Sequence, residues 1–252
     1  MRADPDIAAC AALVQTGDPD RFLATMAAAP DQRAGLFILY AFNLEIARAP
    51  YLTDEPMIAE MRLQWWRDVV AAAGSGAARA HPVAAPLHRL IAERGLPVAT
   101  LEAAIAARRW DCWRDPQHDL DGYLEATGAG LMALAARALG GRDDAAARDV
   151  GWAAGLAAYL RAVPDLAARG RQPLADPSPD AVAALARQGL DRLARARRAG
   201  AGPAAALRAG WLAGPILRQA LADPAAVAAG WLAVPEVQRR GRMLWLSLSG
   251  GW

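Results

Sequence analysis

The sequence predicts an all-α protein, one helical bundle spanning residues 1–252 as a single domain. Three observations carry that expectation. Hydrophobic residues make up 55% of the chain, and roughly a quarter of all residues are alanine, the best helix former. β-Branched residues, and aromatics other than tryptophan, are scarce, and no segment alternates as a half-buried strand does. No linker divides the chain, and 252 residues are enough for one domain with a full core.

From the N-terminus, a short helix is expected over residues 7–14 and a second from 19 or 20 to 29, after a turn at 18–20. Residues 32–48 are apolar on nearly every face and form the expected most buried helix. Ala49-Pro50 ends it, because proline cannot continue the hydrogen-bond ladder and biases its predecessor away from the α region. Thr53 and Asp54 are N-cap candidates for the following helix, and Pro56 is tolerated in its first turn. That helix carries Arg62, Gln64, Trp65, Trp66 and Arg67. Adjacent tryptophans cannot share one face, so at least one points at a neighbouring helix or a cavity wall.

Residues 73–82, AGSGAARAHP, read as a loop. Helices over 83–94 and 99–113 follow, separated by Gly95 as a C-terminal stop and by Pro97. The second ends in RRWDCWRDPQHDLDGY, the most carboxylate-rich patch of the chain. Asp111 and Asp115 have the i, i+4 spacing that places both on one face of a continuing helix, as a metal pair requires. The competing reading is a solvated helix end, since Pro116 follows at once, with Asp119 capping the next helix. His81, His88 and His118 form no ligand spacing.

Further helices are expected over 120–139 and 142–169, the latter kinked at Pro164. Residues 172–177 form a loop, and Ser178-Pro179-Asp180 starts a helix that runs to 199. It ends in Arg192, Arg195, Arg197 and Arg198. These read as a solvated terminus matched to the helix dipole, or as a site for anionic lipid or an acidic partner. After the break AGAGP, helices run over 204–222, 225–232 and 236–248. Trp211, Trp231, Trp245 and Trp252 lie in this tail and read as core or interface anchors.

All 28 basic residues are arginine, against 26 acidic ones, for a net charge of +2. That balance argues against a dedicated nucleic-acid binder, which needs a strongly basic face. An all-arginine set favours bidentate contacts with phosphate or carboxylate. Cys10 and Cys112 stand far apart and outside any C-x-x-C pattern, as expected in a reducing compartment. Residues 1–20 lack a targeting pattern, and no apolar run is long enough to span a bilayer. A cytoplasmic bacterial protein is expected, in at most peripheral contact with the inner face of the membrane.

Residues 39–47, LYAFNLEIA, followed by 60–70, EMRLQWWRDVV, resemble the opening of the squalene/phytoene synthase family. Two later segments are also similar to it: GYLEATGAGLMALAARAL at 122–139 and GLAAYLRAVPDLAARGRQPLAD at 155–176. The resemblance implies the all-α isoprenoid synthase fold and, in active members, head-to-head joining of two prenyl diphosphates held through magnesium. This chain departs from the active pattern. Leu44, Ala47 and Tyr51 stand where the family has an arginine and a D-x-x-x-D pair. Glu125 stands where a tyrosine contacts diphosphate, and Gly155, Ala158, Ala162 and Leu166 replace Gln, Asn and two Asp. Arg161, Gly170-Arg171 and Pro173 keep the frame.

What the resemblance implies is therefore a member without catalytic residues, metal ligands or cofactor. Asn43 and Glu45 fit the F-N-x-E-x-A pattern of a non-catalytic branch that assists assembly of respiratory complex I. Complex I subunits are then the expected protein partners. An isoprenoid-binding protein is the companion reading, with an isoprenoid as candidate ligand. The alternative is a divergent prenyl transferase with Asp111, Asp115 and Glu45 on magnesium and Arg62, Arg67 and Arg161 on diphosphate. The expected vestigial site comprises Tyr40, Asn43, Glu45, Arg62, Gln64, Trp65, Arg67, Arg161 and Arg171. In it Glu45 is expected to bridge to Arg62, Arg67 or Arg161 in place of the lost metal.

Overall fold

The computed structural model describes residues 4–73, 79–141, 145–200 and 202–252, and every regular element among them is helical. Helices α1 (Pro5–Gly17) and α2 (Pro19–Met26) each begin with a proline in the first turn. Aspartates cap them: Asp4 accepts from the Asp6 N–H and Asp18 from the Arg21 N–H. Helix α1 extends beyond its expected limits at both ends, while α2 stops short of residue 29.

Helix α3 (Pro30–Arg48) runs through the middle, packed by α1, α2, α5 (Ala84–Arg94) and α8 (Gly130–Ala138). Its residues 36–43 are buried without a break, Leu39 at 0% and Phe42 at 1% exposure. It is not the most buried helix, however. In α8 every residue except Arg137 is buried, because alanines and glycines let neighbours close in on all sides. A 3₁₀ turn at Ala49–Tyr51 ends α3 where the Ala-Pro pair predicts, and α4 (Pro56–Ala71) starts with Pro56. Thr53 and Asp54 do not cap it. Glu55 holds that position, and the Thr53 hydroxyl accepts the Glu55 N–H at 3.2 Å.

Of the expected loop 73–82, residues 74–78 lie outside the described part of the chain, as do 142–144, the expected start of the next long helix, and Ala201 in the AGAGP break. Helix α5 ends at Gly95, whose φ of 56° is the left-handed conformation glycine tolerates. Helix α6 (Val98–Ala107) is shorter than the expected 99–113: a 3₁₀ turn at Trp110–Cys112 follows, then irregular chain to Asp119. Asp119 caps α7 (Leu120–Leu124), which passes through a π turn at Glu125–Ala129 directly into α8.

Helix α9 (Ala145–Ala168) packs against that π turn, α8, α10 (Pro179–Ala199) and α12 (Ala213–Ala222). It remains one helix through Pro164. The approach to the π turn is a backbone contact. A Cβ on Gly151 would lie 2.5 Å from both the Gly128 carbonyl oxygen and Met132 Cβ, so only glycine fits there.

Ser178 caps α10 with Pro179 in its first turn, as the sequence predicts. The expected helix 204–222 is instead α11 (Ala204–Leu207), a 3₁₀ turn at Arg208–Gly210, and α12. Pro215, lacking an N–H and disfavouring α geometry before it, restarts the ladder there. Helix α13 (Ala225–Ala229) ends early at Gly230, and α14 (Glu236–Ser249) closes the chain.

Candidate functional site

The nine residues of the expected vestigial site do not converge. Tyr40 is buried in α3, with the Arg21 guanidinium 5.6 Å from its ring centroid and no hydrogen-bond partner for its hydroxyl. Burial pushes that hydroxyl's pKa up. Asn43 is buried on the same helix. Glu45 bonds Arg48, one turn along α3, rather than Arg62, Arg67 or Arg161. A bridge to a side chain on the same helix surface needs no tertiary closure, and it wins.

Helix α4 divides its candidates between two grooves. Arg62, Trp65 and Trp66 line one of about 250 Å³ together with Glu45, Leu52 and His81. There Trp66 is buried against Phe42, while Trp65 stands half-exposed, edge-on to His81 and under Arg79. Gln64 and Arg67 line another of about 230 Å³ with Met57, Glu60, Met61 and Arg109. Gln64 donates to Asp68 at 2.9 Å. Arg161, on α9, is half-exposed and pairs with Asp20 at 3.6 Å. Arg171 is elsewhere again.

Arg171 belongs to the polar cluster that the structure does assemble, around Asp111. The Asp111 carboxylate, 3% exposed, accepts from the Tyr123 hydroxyl at 2.9 Å and from Arg108 Nη1 at 3.3 Å. Arg171 Nη1 lies 3.8 Å from its other oxygen. The second Arg171 nitrogen donates to the carbonyls of Trp110, Asp111 and Trp113, and its plane stacks 4.6 Å from the Trp110 ring centroid. Tyr159 closes the aromatic wall and donates to the Pro173 carbonyl at 2.6 Å. Burial drives the Tyr123 and Tyr159 hydroxyls up in pKa, so both serve as donors, not bases. One carboxylate thus faces two arginines, and Arg108 Nε and Arg171 Nη1 have no hydrogen-bond partner. Sequence reasoning weighed Asp111 for metal against a solvated helix end and counted Arg171 in the vestigial site, but missed Arg108, Tyr123 and Tyr159. The RRWD string was a usable signal for Arg108 only.

A second network lies nearer the start of α9. Asp149 is buried and accepts from Arg195 Nε and Nη2, each at 2.6 Å, and Arg192 reaches Glu125 at 2.6 Å while lying 4.3 Å from the Trp152 ring centroid. The arginine-rich end of α10 is therefore neither wholly solvated nor wholly available: Arg192 is half-buried, Arg195 is exposed but tied to the buried Asp149, and Arg197 and Arg198 face out. Neither thiol offers a nucleophile, since burial pushes Cys10 to about 12 and Cys112 to about 11.

Magnesium, the metal the family resemblance implies, needs several converging oxygen donors. The residues here do not fit it. Asp111 is enclosed by arginines, Glu45 bonds Arg48, and Asp115 is exposed beyond the 3₁₀ turn, where the expected i, i+4 register with Asp111 is lost. Among the described residues, no three His, Cys, Asp or Glu side chains group as a metal site would require.

The sequence profile of the squalene/phytoene synthase family matches residues 14–176. A Drosophila melanogaster protein, the homolog of assembly factor 6 of NADH dehydrogenase (ubiquinone) complex I, is 32% identical over 179 residues, covering 65% of this chain and 52% of its own. The Bos taurus assembly factor 6 is 30% identical over 169 residues, 64% of this chain and 50% of that one. The chain spans about half the length of the curated relatives it matches. In fold it is similar to a ligand-bound dehydrosqualene synthase crystal structure, with a TM-score of 0.73 at 14% identity over 97% of this chain and 96% of that one. The squalene synthase HpnC from Alicyclobacillus acidocaldarius gives 0.68 at 20% identity, over 91% and 96%.

Proposed function

The chain belongs to the squalene/phytoene synthase family, and within it we propose a non-catalytic member that assists assembly of respiratory complex I. The observation that carries this reading is the closure around Asp111: this buried carboxylate is bonded to Arg108 and Tyr123 and faces Arg171. Prenyl diphosphate ionisation needs a divalent metal on the leaving group, and that needs free carboxylates. The relatives named as complex I assembly factors supply the direction of the proposal.

The partner, in this reading, is a complex I subunit, and the protein works at the inner face of a bacterial membrane without crossing it. No described helix is long and apolar enough to span one. The contact surface is the outer face of α4 and the turn before it, where Leu52, Met57, Ile58 and Met61 are exposed, Met57 at 73% and Met61 at 70%. It lies inside residues 14–176, the part the family shares. Methionine side chains adapt to varied partner shapes, which suits transient contact.

The test is affinity capture of the tagged protein from its native host, read by mass spectrometry. The expected result is recovery of complex I subunits by the wild type and their loss with Met57→Glu/Met61→Glu. Failure to recover any such subunit overturns the reading. So does pyrophosphate release from farnesyl or geranylgeranyl diphosphate with Mg²⁺ above a no-protein control.

A further inference from the structure

Helix α14 is apolar on two opposite faces. One is packed: Met243 and Leu246 join Ala24 and Trp211 in a small core of their own, and the Arg242 Nε donates to the Trp211 carbonyl at 2.9 Å. The other face has no cover. Val237, Leu244, Trp245 and Leu248 are 83%, 62%, 69% and 78% exposed. With Gly241 they recur at the four- and three-residue spacing that puts side chains in one stripe of a helix. Burial of the first face accounts for the fold; nothing in the fold accounts for the second.

Arginines gather around that stripe. Arg240, 79% exposed on its side chain, flanks it near the start. Arg218 and Arg242 line a groove beside the helix, and both Arg218 and Arg197 are near enough to depress the Arg242 pKa by repulsion, beyond the effect of its burial. Arg197 also stacks 5.4 Å from the Trp252 ring centroid. Among the described residues Arg197 and Arg218 are exposed and make no ion pair. The nearby acid, Glu236, lies at the N-terminal end of α14, bonded to Arg239 and Arg240.

An outward stripe of Trp, Leu and Val bordered by unneutralised arginine matches the surface of an anionic bilayer. Apolar side chains enter the headgroup boundary and the guanidiniums meet lipid phosphate. A protein partner would need matching acidic groups around an apolar groove, whereas a bilayer supplies both along its whole surface. We propose that α14 lies flat on an anionic phospholipid membrane, with Val237, Leu244, Trp245 and Leu248 inserted and the exposed Arg197 and Arg218 over the phosphates. This deepens the placement at a membrane proposed above and rests on it, but does not depend on which protein is the partner.

The test is flotation of the purified protein with vesicles of phosphatidylcholine alone or with one-third phosphatidylglycerol, paired with light scattering. The wild type should float with the anionic vesicles and release at high salt. Trp245→Ala/Leu248→Ala should weaken partitioning at least about tenfold. Arg197→Gln/Arg218→Gln should weaken it about fivefold per charge at low salt, and little at high salt. Both double variants change exposed side chains, and unchanged thermal unfolding checks that they fold. If the wild type floats and the variants float equally well, this face is not the contact, and the membrane placement survives without it. If the wild type floats with neither vesicle, both fall. A wild-type dimer that Trp245→Ala/Leu248→Ala converts to monomer assigns the stripe to self-association and overturns the proposal.

Discussion

Two groups of arginines sit in contrasting surroundings. Arg108 and Arg171 are enclosed around Asp111, in the part of the chain that matches the family profile. Arg197, Arg218 and Arg242 crowd the flank of α14, outside that part, with no carboxylate among them. The first group is structural. Burying a guanidinium without a partner costs several kcal/mol, so a carboxylate held there is needed to keep the bundle closed. In the second, Arg197 and Arg218 are exposed enough for water to carry their charge, and the half-buried Arg242 gives its Nε to the Trp211 carbonyl, so the fold tolerates the repulsion. The same residue type thus reports closure in one place and readiness to bind in the other.

The largest effect expected from breaking this contrast is at Asp111. Asp111→Ala leaves Arg108 and Arg171 facing each other without a counter-charge and removes the acceptor of the Tyr123 hydroxyl. A loss of about 3–5 kcal/mol is expected in urea unfolding. A change within experimental error would show the cluster to be an open site and not a structural one.

Next comes the backbone contact that seals the same interior. Gly151→Ala gains about 1 kcal/mol of helix propensity. It also drives a methyl into the Gly128 carbonyl oxygen at 2.5 Å, where neither backbone can yield cheaply. The clash should win, for a net destabilisation of about 1–3 kcal/mol by the same measurement. A stabilised variant would mean that α9 and the π turn have room between them.

The smallest effect belongs to the exposed group. Arg218→Gln should alter stability by no more than about 0.5 kcal/mol. The direction is upward at low salt, because the substitution relieves repulsion on Arg242. The gain should disappear at high salt, where exposed charges are screened. A clear loss of stability would place Arg218 among the structural arginines and end the contrast.

Much of this fold was legible in the sequence because its signals are local. Proline at helix starts, Gly95 as a left-handed stop, and the caps at Asp119 and Ser178 act within a turn and do not wait for tertiary contacts. The α3 segment read as buried because eight consecutive positions, 36–43, carry nothing that must reach water, Asn43 being the one polar exception. The site was less legible. Tyr40, Asn43 and Glu45 were correctly placed on one helix with Arg62 and Trp65 on the next, but adjacency along a family pattern does not say which way each side chain turns.

The sequence by itself determined an all-helical chain of this family, with the segments and most of the boundaries that local chemistry dictates. Only the tertiary structure decided where the charges went. It closed α6 early, so that Asp111 left the register of Asp115 and entered a cage of arginines. It gave Glu45 to Arg48 rather than to a distant arginine. It also turned one apolar face of α14 inward and left the other uncovered. The physical reason is common to all three. Pairing of charges and covering of apolar faces depend on distances between elements, and those distances are set by packing across the whole chain, which no window of sequence contains.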